Sequence, residues 1–314
     1  MIVTVTLNPA IDKYGEAEEV RPDEVMRLAD VAYEAGGKGI NVSRVLNRFG
    51  IENTALFFRG GQLGGLFSQL LEEEQIKHEF IPVIGNTRLN YTVFDRKHQS
   101  VYKFNDPGPL PDDDEIEKML ALIRSYAKKD TTFIFSGIVP PNSPSDIYAY
   151  FINEIKDECH KILLDTEGEI LLDTIALCRP DFVKPNQKEA EKIYGKPLKT
   201  DADYIAALAR LEERVPCPVI SAGPWGIYIK SCDDGKYYNV SAPHVDAIST
   251  VGAGDAFVAG FMLSLIEEEK PMIEAARMGV ACGTASALVP GTGLCYPKDV
   301  IDILDQVKVR EVRS

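Results

Sequence analysis

Two glycines followed by an aspartate form the segment of this chain best suited to carry chemistry. Residues 249–255 read STVGAGD and lead directly into an apolar helical pattern over 256–266. Small residues at a loop-to-helix junction leave backbone N–H groups exposed at the positive end of the helix dipole, where they can bind an anion. A carboxylate in the first helical turn, here Asp255, could accept the proton of a hydroxyl that attacks a phosphoryl group. An ordinary helix N-terminus with a capping aspartate fits the same letters, so the motif alone leaves both interpretations open.

Two other glycine motifs for phosphate are excluded by the letters. The dinucleotide pattern G-x-G-x-x-G fails because Phe257 stands where the third glycine belongs. The P-loop pattern fails because no Gly-Lys pair in the chain is followed by serine or threonine. Phosphate chemistry at this segment would therefore depend on backbone amides and Asp255.

Residues 35–44, AGGKGINVSR, form a second candidate segment. Closely spaced glycines let a backbone approach a ligand. Lys38 offers a cation among them, and Asn41, which opens the following helical pattern, can both donate and accept hydrogen bonds. A flexible turn before a helix is the alternative.

Polar residues also follow two predicted strands. Ligands collect outside the carboxyl ends of parallel strands, and Asp12 lies just past the first strand, where it could hold sugar hydroxyls or be a solvated loop acid. Residues 184–189, KPNQKE, follow another strand. Asn186 can cap the next helix with Glu189 as its capping-box partner, although Glu189 could equally hold the water shell of Mg²⁺.

The elements that must position these residues alternate between apolar β-rich runs and helical patterns, which predicts an α/β fold with a mainly parallel sheet. Segment 221–226, SAGPWG, is a glycine turn between two strands and by itself indicates a hairpin. Two extended stretches without crossover helices, about 13–34 and 88–105, predict a small β lid on a single domain over 1–314. Buried strands are expected at 2–7, 54–58, 131–135, 161–164, 182–184 and 218–221, and helices at 64–74, 113–128, 145–157, 201–215, 253–268 and 272–288.

The composition argues against a nucleic-acid-binding protein and against a membrane-spanning protein. The chain has 314 residues, 45% of them hydrophobic, and a formal charge of −14. That charge makes nucleic acid and anionic membranes poor partners, and any anionic substrate must find local cations. No apolar run approaches the roughly 20 residues of a transmembrane helix, and the start lacks a signal-peptide pattern, so a cytoplasmic location is expected. The six cysteines include no C-x-x-C pair and are expected to be reduced, mostly buried thiols.

Taken together, the motifs resemble a known family. The order N-P-A-x-D, G-G-K-G-x-N, K-P-N-x-x-E, S-x-G-x-x-G, G-A-G-D is similar to that of the ribokinase-like carbohydrate kinases, the PfkB family, and it extends over nearly the whole chain. The resemblance implies a three-layer α/β/α domain with a small β lid, ATP and Mg²⁺ as cofactors, and an optional homodimer through the lid. The letters of 6–12, 36–41, 87–90 and 104–109 are most similar to the phosphosugar branch, which includes the 1-phosphofructokinases and tagatose-6-phosphate kinases.

By matching position, the resemblance also assigns roles to individual residues. Asp255 would be the base, within an anion hole formed by Gly252, Ala253 and Gly254. The sugar phosphate would contact Asp12, Gly36, Gly37, Lys38, Asn41, Arg88 and Asn90, with Lys38 and Arg88 on its existing phosphate. The nucleotide would contact Lys184, Asn186, Ser221, Gly223, Gly226 and Val251, and Glu189 would serve Mg²⁺.

The resemblance favours one reaction and leaves others open. The expected activity is phosphorylation of a ketohexose monophosphate by ATP, with fructose 1-phosphate converted to fructose 1,6-bisphosphate. Tagatose-6-phosphate kinase is the nearest alternative, and a non-catalytic sugar-phosphate sensor is an alternative of another class. Two segments depart from the family pattern: 136–142 reads SGIVPPN, without the usual second serine, and Thr166-Glu167-Gly168 replaces the usual continuation after Asp165. Both departures bear on the choice of sugar phosphate.

Overall fold

The structure is a computed structural model that describes residues 1–291 and 293–313. Within these residues the strands form one sheet of ten strands and one of four. The strands are β1 (Ile2–Thr6), β2 (Ala10–Ala17), β3 (Ala29–Gly36), β4 (Asn53–Gly60), β5 (His78–Val83), β6 (Arg88–Asp95), β7 (Ser100–Asn105), β8 (Thr132–Ser136), β9 (Lys161–Asp165), β10 (Phe182–Val183), β11 (Cys217–Ser221), β12 (Ile227–Lys230), β13 (Tyr237–Ser241) and β14 (Lys308–Val312). The helices are α1 (Lys38–Arg48), α2 (Gly61–Glu73), α3 (Asp113–Tyr126), α4 (Ile147–Ile155), α5 (Gly168–Leu177), α6 (Gln187–Tyr194), α7 (Asp201–Glu212), α8 (Ala253–Met262), α9 (Met272–Ala287) and α10 (Pro297–Leu304).

The large sheet is parallel through most of its width, in the order β5-β4-β1-β8-β9-β10-β11. Its central strand β1 is buried at every position, as expected for an apolar, β-branched strand covered on both faces. One core lies between the sheet and α3, α4, α5, α6 and α7, and the other between the sheet and α1, α8, α9 and α10. The α/β prediction is therefore confirmed, and the carboxyl ends of these parallel strands meet at one edge, where a ligand site is expected.

The helix pair α8 and α9 packs closely because glycines face the partner helix. A Cβ at Gly260 would lie 2.6 Å from Cys282 Sγ, and one at Gly279 would lie 2.8 Å from the Phe257 ring. The sequence predicted a single helix over 253–268. In the structure α8 is α-helical only to Met262, and the chain continues as a π-helical turn, Leu263–Glu267. This packing fixes the N-terminus of α8 against the sheet.

The small sheet has the order β3-β2-β6-β7, with β2 parallel to β6 and antiparallel pairing at both edges. At its root, Ile11, Ala35 and Leu89 join a third core with α2 and β4. Farther out, its strands leave the body of the molecule, and β3 and β7 are largely exposed. The four strands lie within or next to the two stretches that predicted a lid.

The sequence predicted the hairpin of β11 and β12 around residues 221–226, and the structure confirms it, but sequence patterns missed β13 and β14, the outer strands on the antiparallel side of the large sheet. Beyond β11 the order continues β12-β13-β14, and β14 comes from the C-terminal end of the chain. These are short strands whose partners are fixed by tertiary packing. No helix of the described residues is both long and apolar enough to cross a membrane.

The cysteine prediction is wrong for one pair. Cys217 and Cys232 form a disulfide, with Cα atoms 6.1 Å apart. The hairpin of β11 and β12 brings the first residue of one strand beside the turn that follows the other, a proximity that the spacing of the cysteines in the sequence did not reveal. The other four cysteines are free and buried, as expected: Cys159, Cys178, Cys282 and Cys295.

Candidate active site

The N-terminus of α8 presents uncapped backbone amides to the carboxyl edge of the sheet. Gly252 is the N-cap residue, with φ of 77°, and it has no side chain that could cap the helix. A Cβ at Gly252 would lie 2.6 Å from Leu294, so both its conformation and its surroundings require glycine. The amide of Ala253 donates a long hydrogen bond, 3.4 Å, to the backbone oxygen of Thr250. Together with the amide of Gly254 it lies at the positive helix end, where an anion can bind.

Asp255 lies in the first turn of α8 and is buried, with 7% of its surface exposed. Asn41, from α1, donates a hydrogen bond from Nδ2 to Asp255 Oδ2 at 2.8 Å. Burial, followed by the negative charge of Asp165, raises the pKa of Asp255 to about 6. A carboxylate with a pKa near the working pH is suited to general-base catalysis.

A fully buried acid, Asp165, holds two lysines next to this carboxylate. Lys38 Nζ lies 3.4 Å from Asp165 Oδ1, and Lys184 Nζ lies 3.3 Å from Oδ2 as an ion pair without hydrogen-bond alignment. Burial alone would raise the pKa of Asp165, but the charges of Lys184 and Lys38 hold it below its ordinary value. A Cβ at Gly254 would lie 3.4 Å from Lys184 Nζ, so this ammonium borders the amides of α8. Amides and cations thus converge beside Asp255, as phosphoryl transfer requires.

A second polar cluster lies at the root of the small sheet. Asn90 Nδ2 donates to Asp12 Oδ1 at 2.7 Å, and Arg88 Nη1 donates to Asn90 Oδ1 at 3.2 Å. Arg88 Nε also donates to the backbone oxygen of Asn8, and the side chain is buried. Burial raises the pKa of Asp12. A Cβ at Gly36 would lie 2.2 Å from Asp12 Oδ2, so glycine lets the backbone pass over this carboxylate.

Gly37 links the two clusters. It is the N-cap residue of α1, with φ of 112°, and no side chain caps this helix either. Lys38 and Asn41 occupy the first turn that follows. The first turn of α1 thus supplies both Asn41, which contacts Asp255, and Lys38, which contacts Asp165.

The residues expected at the nucleotide lie at the ends of β10 and β11. Asn186 caps α6 in a capping box: its Oδ1 accepts from Glu189 N at 3.0 Å, and Glu189 Oε2 accepts from Asn186 N at 2.8 Å. Ser221 forms an isolated parallel bridge with Asn186. Burial raises the pKa of Glu189. Only one oxygen of Glu189 is engaged by the cap, so a single-carboxylate Mg²⁺ site fits here.

The turn after β11 needs its glycines. Gly223 has φ of 57° and Gly226 has φ of 81°. A Cβ at Gly226 would lie 2.0 Å from the backbone oxygen of Val240, so no other residue fits. Val251, the remaining residue expected at the nucleotide, donates its backbone N–H to Ser249 Oγ at 3.3 Å.

Sequence reasoning did not assign a role to two residues of this edge. Asp165, at the end of β9, organises both lysines, and Asn8 contacts Arg88 through its backbone and Pro107 through its side chain. A carboxylate that ends a buried apolar strand was the available signal for Asp165. Of the two cations expected at the acceptor's phosphate, Lys38 pairs with Asp165 and Arg88 contacts Asn90.

Comparison with known proteins identifies the family. The model of the pfkB family carbohydrate kinases matches residues 4–299. The chain belongs to this family. Among curated proteins, this pfkB-family chain is 33% identical over 95% of its length to the ATP-dependent 6-phosphofructokinase isozyme 2 of Mycobacterium tuberculosis, covering 87% of that protein. It is 31% identical over 98% of its length to the 1-phosphofructokinase of Bacillus subtilis, covering 99% of that protein.

Solved structures agree with the pfkB assignment. Phosphofructokinase-2 of Escherichia coli, crystallised with potassium, superposes with a TM-score of 0.90 at 29% identity, covering 97% of this chain and 98% of the other. The chain is therefore a carbohydrate kinase of the pfkB family with the three-layer fold of its relatives, and ATP is its phosphoryl donor.

Proposed function

We propose that this pfkB-family kinase phosphorylates a ketohexose monophosphate, and that its acceptor is fructose 1-phosphate, which becomes fructose 1,6-bisphosphate. Relatives named 1-phosphofructokinase, in Bacillus subtilis and in Borreliella burgdorferi, are about 30% identical over nearly the whole chain, which supports the choice of acceptor. The observation that carries the kinase reaction is Asp255, buried beside the uncapped amides of α8.

The proposed transfer uses these residues in defined roles. As the acceptor hydroxyl oxygen bonds to the γ-phosphorus of ATP, its proton passes to Asp255 and the bond to the bridging oxygen of ADP breaks. The amides of α8 and the ammonium of Lys184 neutralise charge on the transferring group, and Asn41 orients Asp255. Mg²⁺ would be held by Glu189 and would neutralise charge on the nucleotide phosphates.

The remaining residues divide between the two substrates. For the acceptor we assign Asp12 and Asn90 to sugar hydroxyls, Gly36 and Gly37 to close backbone contact, and Arg88 to the existing phosphate. For the nucleotide we assign Asn186, Ser221, Gly223, Gly226 and Val251. Lys38 borders the transfer centre through Asp165 and would reach a phosphate from that side.

Two further features belong to the proposal. The four-stranded sheet would act as a lid over the sugar within a single domain, because Asp12 and Asn90 lie at its root. A cytoplasmic location suits a kinase that uses ATP. A homodimer through the lid is supported by exposed aromatic side chains of the small sheet, Tyr33 and Phe104. Phosphofructokinase-2 of Escherichia coli is known in a tetrameric inhibited form.

One assay tests the acceptor. ADP release is measured with fructose 1-phosphate, fructose 6-phosphate, tagatose 6-phosphate and free fructose, each at saturating MgATP. We expect the largest kcat/KM with fructose 1-phosphate and very little turnover of free fructose. Greater turnover of tagatose 6-phosphate or fructose 6-phosphate would reassign the acceptor within the family, and binding without any turnover would indicate a sensor.

A further inference from the structure

An exposed acid, Glu167, follows β9 at the edge of the sheet where the cations of the cleft lie. It lies two residues beyond Asp165, whose carboxylate contacts Lys38 and Lys184. The turn is anchored by Thr166, whose hydroxyl donates to the backbone oxygen of Gly137 at 2.9 Å. Glu167 is exposed at the carboxyl edge of the sheet, where both substrates are proposed to bind.

The position of Glu167 is that of a helix cap, but its side chain does not act as one. It is the N-cap residue of α5 and makes no side-chain cap hydrogen bond. Among the described residues this carboxylate makes no hydrogen bond and no ion pair. Within the part of the chain that the structure describes, its negative charge is therefore not neutralised by a paired cation.

The negative charge of Glu167 contributes to the pKa of two cations of the cleft, Lys38 and Arg88. The pKa of Lys38 is raised chiefly by Asp165, and Glu167 is among the other acids that raise it. Burial lowers the pKa of Arg88. The negative charges of Asp12 and, to a smaller extent, Glu167 oppose that lowering. Geometry places the turn near Lys38, because Thr166, the residue before Glu167, donates to the backbone oxygen of Gly137. A Cβ at Gly137 would lie 3.8 Å from Lys38 Cβ.

We propose that Glu167 is a specificity-determining residue that repels phosphate groups in the cleft and so favours release of the bisphosphorylated product over the monophosphorylated acceptor. This inference rests on the proposed function. Each phosphate monoester carries about −1.5 to −2 charges at pH 7, so the product carries about twice the charge of the acceptor. Because Coulomb repulsion is proportional to charge, Glu167 weakens binding of the product more than that of the acceptor.

The test replaces the charge without altering the helix. In Glu167→Gln, fructose 1-phosphate should bind about threefold more tightly and fructose 1,6-bisphosphate about tenfold more tightly, as measured by isothermal titration calorimetry, since the repulsion doubles with the charge. The gain should shrink as ionic strength rises. Inhibition of ADP release by the bisphosphate should strengthen in parallel. Glu169→Gln, an exposed acid of the first turn of α5, makes the same charge change and should alter neither affinity.

Three results would overturn the inference: an unchanged bisphosphate affinity in Glu167→Gln, equal tightening of both ligands, or the same gain in Glu169→Gln. Failure of the proposed function looks different, because no sugar phosphate would then stimulate ADP release by the unaltered protein. If neither sugar phosphate binds, pyrophosphate replaces them as a probe of the same cations. Tighter pyrophosphate binding in Glu167→Gln then supports the repulsion by Glu167, and unchanged binding refutes it.

Discussion

Asp255 occupies a site where an ionised carboxylate is costly, because it is buried and a second acid, Asp165, lies nearby. The hydrogen bond from Asn41 and the two lysines paired with Asp165 offset part of that cost. The balance keeps the carboxylate ionised at neutral pH and still basic enough to take a proton. Such perturbed carboxylates are typical of catalytic sites.

Replacing the base tests its role directly. Asp255→Asn retains the size of the side chain but removes the basic oxygen. We expect kcat to fall at least about a hundredfold, since general-base catalysis is typically worth about 10²–10⁴-fold. Calorimetric titration should show that sugar phosphate and ATP still bind. A variant with nearly unaltered kcat would exclude Asp255 as the base.

The pH dependence of kcat/KM follows from the pKa of about 6 in the protein without substrates. The base acts only when deprotonated, so kcat/KM should fall as the pH is lowered through about 6. An aspartate with the ordinary pKa of about 3.9 would keep the reaction going to much lower pH. The measurement is kcat/KM for the sugar phosphate at saturating MgATP, between pH 5 and pH 8. A flat profile over that range would contradict the raised pKa.

Arg88 is the residue proposed to bind the acceptor's phosphate. Arg88→Ala should raise KM for the sugar phosphate about ten- to a hundredfold, because hydrogen bonds to a charged group contribute roughly 1.5–3 kcal/mol. KM for ATP should barely move, since Arg88 contacts Asn8 and Asn90 rather than the end of β10 or β11. Arg88→Lys retains the charge and should recover only part of the loss. If KM for the sugar phosphate is unchanged in Arg88→Ala, the assignment of a sugar phosphate as the acceptor fails. The chain would then remain a carbohydrate kinase with an unassigned acceptor.

At the scale of elements, two glycines of one helix start have different reasons to be glycine. Gly252 has a left-handed φ of 77° and lies against Leu294. Gly254 has no such strain, and a Cβ there would meet only Lys184 Nζ, at 3.4 Å. The first glycine therefore serves the fold, whereas the second leaves room for the cation beside the amides.

This difference predicts two distinct outcomes. Gly254→Val should retain the fold and its melting temperature, but it should lower kcat by about 10²–10³-fold, the typical cost of one lost oxyanion donor. Gly252→Val should lower the melting temperature by several degrees, because it adds backbone strain and a clash. Thermal unfolding followed by circular dichroism, together with ADP release, separates the two. Global unfolding of Gly254→Val would assign that glycine to the fold instead.

Local patterns predicted those elements whose burial is regular. Strand β1 and the helix start at Gly252 were both predicted, because an apolar strand and a glycine junction have local signatures. Strand β14 was missed, since its place at the edge of the sheet depends on pairing with a distant hairpin. The Cys217–Cys232 disulfide was missed for a related reason, because the turn after β12 brings the two cysteines together only in the folded chain. The contact of Lys38 with Asp165 likewise joins residues far apart in sequence.

For the molecule as a whole, the small sheet presents an apolar face to solvent. Tyr33 and Tyr91 pair with Lys13 on neighbouring strands, and Phe104 pairs with Tyr91, so these side chains share one face of the sheet. Lys13 Nζ lies 5.2 Å from both tyrosine rings. Phe104 is 61% exposed. A contiguous exposed apolar surface of this kind is typical of a protein–protein interface.

If two copies of the chain pair through this face, a charge at its edge should separate them. Phe104→Asp places a carboxylate in the contact, where its desolvation is unfavourable. We expect the unaltered protein to elute as a dimer and Phe104→Asp as a monomer in size-exclusion chromatography with light scattering. Val25→Asp is a matched control, because Val25 is 88% exposed but lies outside the strands, and it should stay dimeric. A monomeric unaltered protein, or a dimer that survives Phe104→Asp, would show that this face does not join two copies of the chain.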